Sequence, residues 1–280
     1  MSEKQREFAF SRRDFNYLRE VANSRTGIVV ADDKFDMFYA RLSRRVRKLG
    51  LRNFSEYCEL IKSEPEEIEV LELVNAITTN LTSFFREQHH FEELSRRILP
   101  ELIQRNGESR TISIWSAGCS TGEEPYSIAM TIMDALQEQR EWRLKLLATD
   151  IDSAVLQRAE SGVYPAERVQ GIPTARLRRW FLRGTNGRQG MVRVKPELQR
   201  SILFRQLNLL SDWALEQRPD VIFCRNVIIY FDKLSKQRLI ERFASALNPG
   251  GYLFIGHSES LFNLSTNFEL VGNTLYRHKG

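Results

Sequence analysis

The hydrophobic period of the chain changes once, just after Asn106-Gly107, and that change limits the fold more than any other feature. Beyond it, strand-like runs alternate with helical patterns. Strands are expected over 111–117, 144–149, 202–207, 221–224, 252–256, 268–271 and 274–276, and helices near 123–137, 153–160, 211–217 and 234–247. Strand, helix, strand repeated along a chain is the pattern of an α/β doubly wound, mostly parallel sheet. Only Gly272-Asn273 separates the last two runs, so the seventh strand should return through a tight hairpin and lie antiparallel.

Residues 1–100 read differently, as helices with nothing strand-like between them. Ser11 and Asp14 form a capping-box-like start for Phe15, Leu18, Val21 and Ala22, and Thr26-Gly27 ends that helix. Asp32 or Asp33 can cap the next, which carries Phe35, Phe38, Tyr39, Leu42, Val46 and Leu49 on one face, with Gly50 as its C′ residue. Further helices are expected near 54–62, 65–78 (Pro65 in the first turn) and 87–105. The expected organisation is a small all-helical domain and linker over 1–90, then an α/β domain over 91–280. One stretch, about 163–200, holds three prolines and several glycines; it is expected to be an inserted small antiparallel β-subdomain, a hairpin preceded by a short helix.

Composition excludes several classes. With 42% hydrophobic and 28% charged residues the chain is an ordinary globular one. Its apolar runs, such as 220–231, are broken by charge well short of the roughly 18 residues a membrane span needs. Met-Ser-Glu-Lys-Gln-Arg-Glu offers no apolar signal core. Cys58, Cys119 and Cys224 form no C-x-x-C pair, so a reduced, cytoplasmic setting and no metal, structural zinc included, are expected. The net charge of +5 suits an acidic partner without naming one.

Chemistry gathers at the expected strand ends. The first strand runs into Ala117-Gly118-Cys119-Ser120-Thr121-Gly122-Glu123-Glu124, a glycine turn opening a helix at the carboxyl edge of the sheet. Gly118 and its neighbours let a ligand approach backbone. This is not G-x-G-x-x-G, and two acids stand where a pyrophosphate would need positive potential. Either they suit a ligand with a positive charge, an amino group or a sulfonium, or the segment is a plain turn with acids on a helix dipole. Asp150 ends the second strand where such folds hydrogen-bond ribose hydroxyls, and Asp152 is better read as the next helix's N-cap. Asn208-Leu209 follow the third strand, with an amide that can face an adenine edge, and Arg225-Asn226 follow the fourth. Cys119 reads as a compact buried filler.

The stretches 77–87, 120–127, 150–152, 223–232 and 256–259, in this order and spacing, resemble the CheR-type chemotaxis receptor methyltransferases, which use S-adenosylmethionine and release S-adenosylhomocysteine. The resemblance covers essentially the whole chain. It implies methyl transfer to glutamate side chains of chemoreceptors, giving glutamyl methyl esters. It further implies that Asn80, Thr82, Arg86, Gly118, Glu123, Asp150, Asn208, Leu209, Arg225 and Asn226 are cofactor positions, that Arg86 holds a carboxylate, and that Tyr230 orients the reacting groups. A glutamate carboxylate, with a pKa of about 4.3, is already a nucleophile at neutral pH. No general base is then required, and none of the four histidines has a triad-like context.

Positive charge concentrates between Met37 and Ser55, where Arg41, Arg44, Arg45, Arg47, Lys48 and Arg52 stand without an acid. Arg41, Arg44 and Lys48 lie opposite the apolar face of the expected helix. With Arg45 they form either a solvated face or, as the resemblance favours, a docking surface for acidic receptor methylation helices. In part of the family the β-subdomain captures a receptor C-terminal peptide as an added strand, and the loop 183–190 would leave such an edge open. No nucleic-acid partner, no membrane insertion and a monomer are expected. A dehydrogenase is disfavoured by the missing fingerprint, a nucleic-acid methyltransferase by Arg225-Asn226-Val227-Ile228 in place of an N-P-P-Y-like motif, and a non-catalytic cofactor sensor stays open.

Overall fold

A computed structural model describes residues 6–63, 68–139 and 141–280. The expected helix start at Pro65 and most of the N-terminal stretch read for a signal core lie outside the described residues. The chain divides into two compact units, Met1–Thr79 with Tyr230–Ser235, and Asn80–Ile229 with Lys236–Gly280.

The first unit is helical: α1 (Arg12–Thr26), α2 (Phe35–Lys48), α3 (Phe54–Ser63) and α4 (Ile68–Ile77). The capping box forms as read, with Ser11 and Asp14 bonding each other's backbone N–H groups. Gly27 ends α1 at φ 71°. Gly50, at φ 68°, ends α2 in a Schellman motif: its N–H donates to Arg47 O and that of Leu51 to Val46 O, both at 3.1 Å. Periodic apolar residues then close one core, with Phe15, Leu18, Phe38, Leu42, Val46, Phe54 and Leu73 fully buried. The segment Tyr230–Ser235 joins this unit through backbone pairing: Val29 N–H donates to Tyr230 O at 2.8 Å and Ile28 bridges Phe231.

The cations of α2 do not all face solvent. Arg45 is largely buried and makes a bidentate pair with Glu69, with Glu72 at 3.3 Å. Arg41 is half-buried, and one of its nitrogens donates to the carbonyls of Ile77 and Thr78 at 2.6 and 2.8 Å, closing the C-terminus of α4. Arg44 and Lys48 are exposed. The expected solvent-facing stripe of Arg41, Arg44 and Lys48 therefore loses part of Arg41 to carbonyls at the end of α4, and Arg45, expected at the same docking surface, is turned to acids on that helix.

The second unit opens with α5 (His89–Glu93), a π-turn over Leu94–Ile98, and α6 (Leu99–Arg105). Pro100 cannot donate to Arg96, and the widened turn sits where that bond is missing. The alternation then follows: β1 (Thr111–Ala117), α7 (Glu123–Ala135), β2 (Arg143–Asp150) and α8 (Ser153–Ser161). An insertion comes next, with β3 (Val163–Pro165), α9 (Thr174–Trp180), β4 (Phe181–Arg183), β5 (Met191–Val194) and α10 (Pro196–Gln199). The main sheet resumes with β6 (Ile202–Gln206), β7 (Val221–Cys224), α11 (Lys233–Ala246), β8 (Tyr252–Ile255), β9 (Phe268–Gly272) and β10 (Leu275–His278).

The large sheet has the order β6-β2-β1-β7-β8-β10-β9, and only β10 runs against its neighbours. The seven-stranded, mostly parallel, doubly wound reading holds. The antiparallel strand lies second from the edge, and the hairpin turn falls one residue later than expected, at Asn273-Thr274. The chain leaves β1 towards β2 and β6 on one side and returns to β7 and β8 on the other. That places a crevice at the carboxyl ends of β1 and β7. The insertion forms its own antiparallel sheet, β3-β5-β4, with α9 ahead of the β4–β5 hairpin.

One expected element is missing: 211–217 is a loop, not a helix. The Leu209 carbonyl accepts from the Trp213 indole at 2.9 Å and from Arg242 at 3.1 Å. The indole meanwhile packs against Trp115 and Phe243, so tertiary burial overrides local propensity. No described helix is long and apolar enough to cross a membrane.

Candidate active site

The turn between β1 and α7 is built on left-handed backbone: Gly118, Ser120 and Gly122 have φ of 91°, 50° and 97°. A Cβ on Gly118 would collide with a methyl of Val227, so glycine is required on both counts. Gly118 and Cys119 N–H donate to Thr149 O at 2.8 and 2.9 Å, and Ser120 N–H to the Asp150 carboxylate at 2.7 Å. The other Asp150 oxygen accepts Asp152 N–H at 3.0 Å. Burial pushes the Asp150 carboxyl up to about 6, against the pull of these N–H groups. Asp152 caps α8 as expected, accepting from Ala154 and Val155, and also accepts from Asn80 Nδ2 at 2.8 Å.

The segment leading into α5 is tied to the same strand ends. Ser120 Oγ donates to Asn80 O, and Phe85 N–H to Ser127 Oγ, both at 3.0 Å. Thr82 O accepts from Arg168 at 2.7 Å, and Arg168 also pairs with the buried carboxylate of Glu123. Thr121 Oγ1 donates to that carboxylate at 2.6 Å. Glu123 is thus held by an arginine from the insertion. Arg86 is half-buried and donates to Leu81 O at 2.9 Å.

Arg225, at the end of β7, is 6% exposed and stands between two acids, with Glu87 and Glu124 oxygens each 3.4 Å away. It also donates to Arg86 O, while its Nε has no hydrogen-bond partner among the described residues. Burial raises the Glu124 carboxyl, opposed by Arg225 and by a 2.7 Å bond from Ser116 Oγ. Burial also opposes ionisation of Glu87, but the His257 hydrogen bond and the Arg225 charge outweigh it and hold that carboxyl low. Burial and Arg225 push His90 down to about 4. The Cys119 thiol lies well above its usual range through burial, consistent with a filler.

Asn226 sits at φ 59° because Glu259 draws its N–H inward at 2.8 Å, along with those of Gly256 at 2.6 Å and Ile229 at 3.2 Å. At the end of β6, Leu207 N–H donates to Asp150 O at 2.9 Å, and the Asn208 side-chain oxygen accepts Leu210 N–H at 2.9 Å. Asn80, Thr82, Arg86, Gly118, Glu123, Asp150, Asn208, Leu209, Arg225 and Asn226 therefore all belong to the second unit, at its carboxyl-edge strand ends or on the segment bonded to them. Tyr230 is the last residue of a 3-10 turn, Ile228–Tyr230, and clusters with the first unit, as do Arg41, Arg44, Arg45 and Lys48.

Sequence reasoning gave no role to Arg168, Glu87 or Glu259. Glu87 and Glu259 stand inside the motifs that carried the resemblance, which was the available signal. Nothing in the insertion marked Arg168, whose partner is 45 residues away.

The donor set fits S-adenosylmethionine. A carboxylate offers about four lone-pair sites, so Asp150 keeps acceptor capacity for a diol. The unpartnered Arg225 Nε and the Arg86 guanidinium suit a carboxylate, and the surrounding acids suit a cation. Residues 80–277 match the family described as CheR methyltransferase, SAM binding domain, and residues 13–78 match the CheR methyltransferase, all-alpha domain. The protein is an S-adenosylmethionine-dependent methyltransferase. The chain is 47% identical over 274 residues to chemotaxis protein methyltransferase 2 of Pseudomonas aeruginosa, covering 96% of this chain and 94% of that one. It is 45% identical to the chemotaxis protein methyltransferases of Klebsiella aerogenes (94% and 88% covered) and Escherichia coli strain K12 (96% and 91%). The chain belongs to the CheR methyltransferase family, and its activity serves chemotaxis.

Proposed function

We propose that the methyl acceptors are glutamate side-chain carboxylates of chemoreceptors, converted to γ-glutamyl methyl esters. The observation that carries this reading is the strand-end cluster itself, in which the Arg86 and Arg225 guanidinium groups stand with buried acids at the carboxyl ends of the strands. When bound, S-adenosylmethionine supplies an electrophilic methyl group on a positively charged sulfur. An ionised glutamate needs no proton removed, so the chain's residues contribute alignment and exclusion of water.

Asp150 would accept ribose hydroxyls, and Asn80, Thr82, Gly118, Glu123, Asn208, Leu209 and Asn226 would shape the cofactor's surroundings. Arg225 would fix a carboxylate, and Arg86, whose planar fork matches one, would hold the cofactor's or the acceptor's. Tyr230 would orient the reacting groups, a role that rests on the family resemblance alone. Arg44 and Lys48, the exposed cations of α2, would steer acidic methylation helices, with Arg41 and Arg45 supporting the surface behind them. The edge strands β3 and β4 of the small sheet would admit a receptor C-terminal peptide as a further strand. The protein would work in the cytoplasm as a monomer, without nucleic acid and without inserting into the membrane.

The test is calorimetric titration with S-adenosylmethionine, S-adenosylhomocysteine and NADH. Both sulfur ligands should bind and NADH should not; no heat from either sulfur ligand would remove the cofactor assignment. A receptor-tail peptide that gives no heat would remove the edge-strand role.

A further inference from the structure

Next to the Arg225 cluster, α5 begins with two adjacent histidines. Glu87, His89 and His90 bring a carboxylate oxygen and two ring nitrogens within 4.8 Å of one another. Two of these groups are in an unusual state. Nδ1 of His90, a residue with no exposed surface, and Oε2 of Glu87, whose side chain is 10% exposed, make no hydrogen bond among the described residues and lie 3.4 Å apart.

The tautomer of His90 explains why they do not bond. Its Nε2 is 3.1 Å from the carbonyl oxygen of Asn273, which can only accept, so Nε2 carries the hydrogen. Thr274 Oγ1, 3.0 Å from the same nitrogen, shares that donor. Nδ1 then presents a bare lone pair. The Glu87 carboxylate is engaged through its other oxygen by His257 Nδ1 at 3.0 Å, and Arg225 stands 3.4 Å from Oε2. A nitrogen lone pair and an anionic oxygen thus face each other in a buried space with no hydrogen between them. Arg225 offsets the charge on Oε2, but no described residue donates to Nδ1, and a buried acceptor left unsatisfied costs free energy.

We propose that Glu87, His89 and His90 form a binding site for a divalent transition-metal ion, zinc being the best match. Two imidazoles and a carboxylate are a zinc donor set, with bonds of about 2.0–2.2 Å and tetrahedral ligand separations of about 3.3 Å. Ligand atoms already within 4.8 Å reach that arrangement by rotation of exposed His89 and small shifts of the other two. The surroundings are those of a metal-bound histidine: the outer N–H of His90 is fixed on a backbone carbonyl, and the carboxylate is oriented by a second group. Nitrogen donors disfavour magnesium and calcium. The expectation of no metal rested on the cysteines, which take no part here. Occupancy would draw Glu87 away from Arg225 and leave Glu124 as that guanidinium's carboxylate partner.

The test uses untagged, chelator-treated full-length protein titrated with Zn²⁺ alone, with Mg²⁺ as control, followed by X-ray absorption on the one-to-one sample. One saturable zinc site is expected, weakened at least tenfold in His89→Ala and in Glu87→Gln, with only nitrogen and oxygen neighbours at about 2.0–2.2 Å. His89 is exposed, so its variant should melt as the parent does. Absence of a saturable site, undiminished binding in His89→Ala, or sulfur at about 2.3 Å would each overturn the proposal.

Discussion

The Asp150 carboxylate accepts the backbone N–H of Ser120 at 2.7 Å, joining the end of β2 to the glycine turn that follows β1. Two neighbouring strand ends are thereby locked at the crevice, and the acid that would bind ribose also fixes the loop beside it. The variant Asp150→Asn keeps the shape of the side chain but loses the charged acceptor. It should weaken S-adenosylmethionine binding at least tenfold by calorimetry, through loss of the anionic acceptor for hydroxyls.

The same carboxyl predicts a pH dependence. Burial raises its folded-state pKa to about 6, above the unfolded value of about 3.9. Between those values the folded state holds the extra proton, so this group's contribution to stability falls as pH rises from about 4 to about 6, and is flat above. Cofactor affinity should move the other way, dropping as pH falls through about 6 because the protonated acid is a poorer acceptor. Binding measured from pH 5 to 8 checks this, and Asp150→Asn should flatten the profile.

Glu259 gathers backbone N–H groups, those of Asn226, Gly256 and Ile229 among them, around the ends of β7 and β8. Glu259→Gln should lower stability by about 1–3 kcal/mol, since the amide replaces a charged acceptor among buried donors. Thermal melts with and without cofactor would show the loss in both states.

On α2 the cations separate by burial. Arg44→Ala with Lys48→Ala should slow receptor methylation severalfold while leaving cofactor binding unchanged. Arg45→Ala should instead destabilise the helical unit by about 3 kcal/mol, because it takes the bidentate cation from the buried Glu69 carboxylate. Denaturant unfolding of the two variants distinguishes these outcomes.

Gly118→Ala should cost stability of about 2 kcal/mol or more and impair cofactor binding. It places a side chain at φ 91° and a Cβ against the Val227 methyl. Thermal melts and calorimetry on the one variant read both effects.

Much of this was legible in the sequence for local reasons. The main-sheet strands are short apolar runs between turn signals, and the caps at Ser11, Gly50 and Asp152 are signals carried within a few residues. What was not legible depends on distant partners. The helix expected over 211–217 fails because Trp213 is drawn into contact with Trp115 and Phe243. Arg45 leaves the surface because Glu69, on another helix, is placed to receive it. Residue types named Asp150 and Arg225 as site positions, but their burial and the acids flanking Arg225 follow only from strand order.

The most direct test of the central claim is transfer of labelled methyl from S-adenosylmethionine to chemoreceptor-containing membranes, followed by mild alkali. The account predicts label on the receptor that alkali releases as methanol, as a glutamyl methyl ester requires. Absence of receptor label, or label that survives alkali, would contradict it.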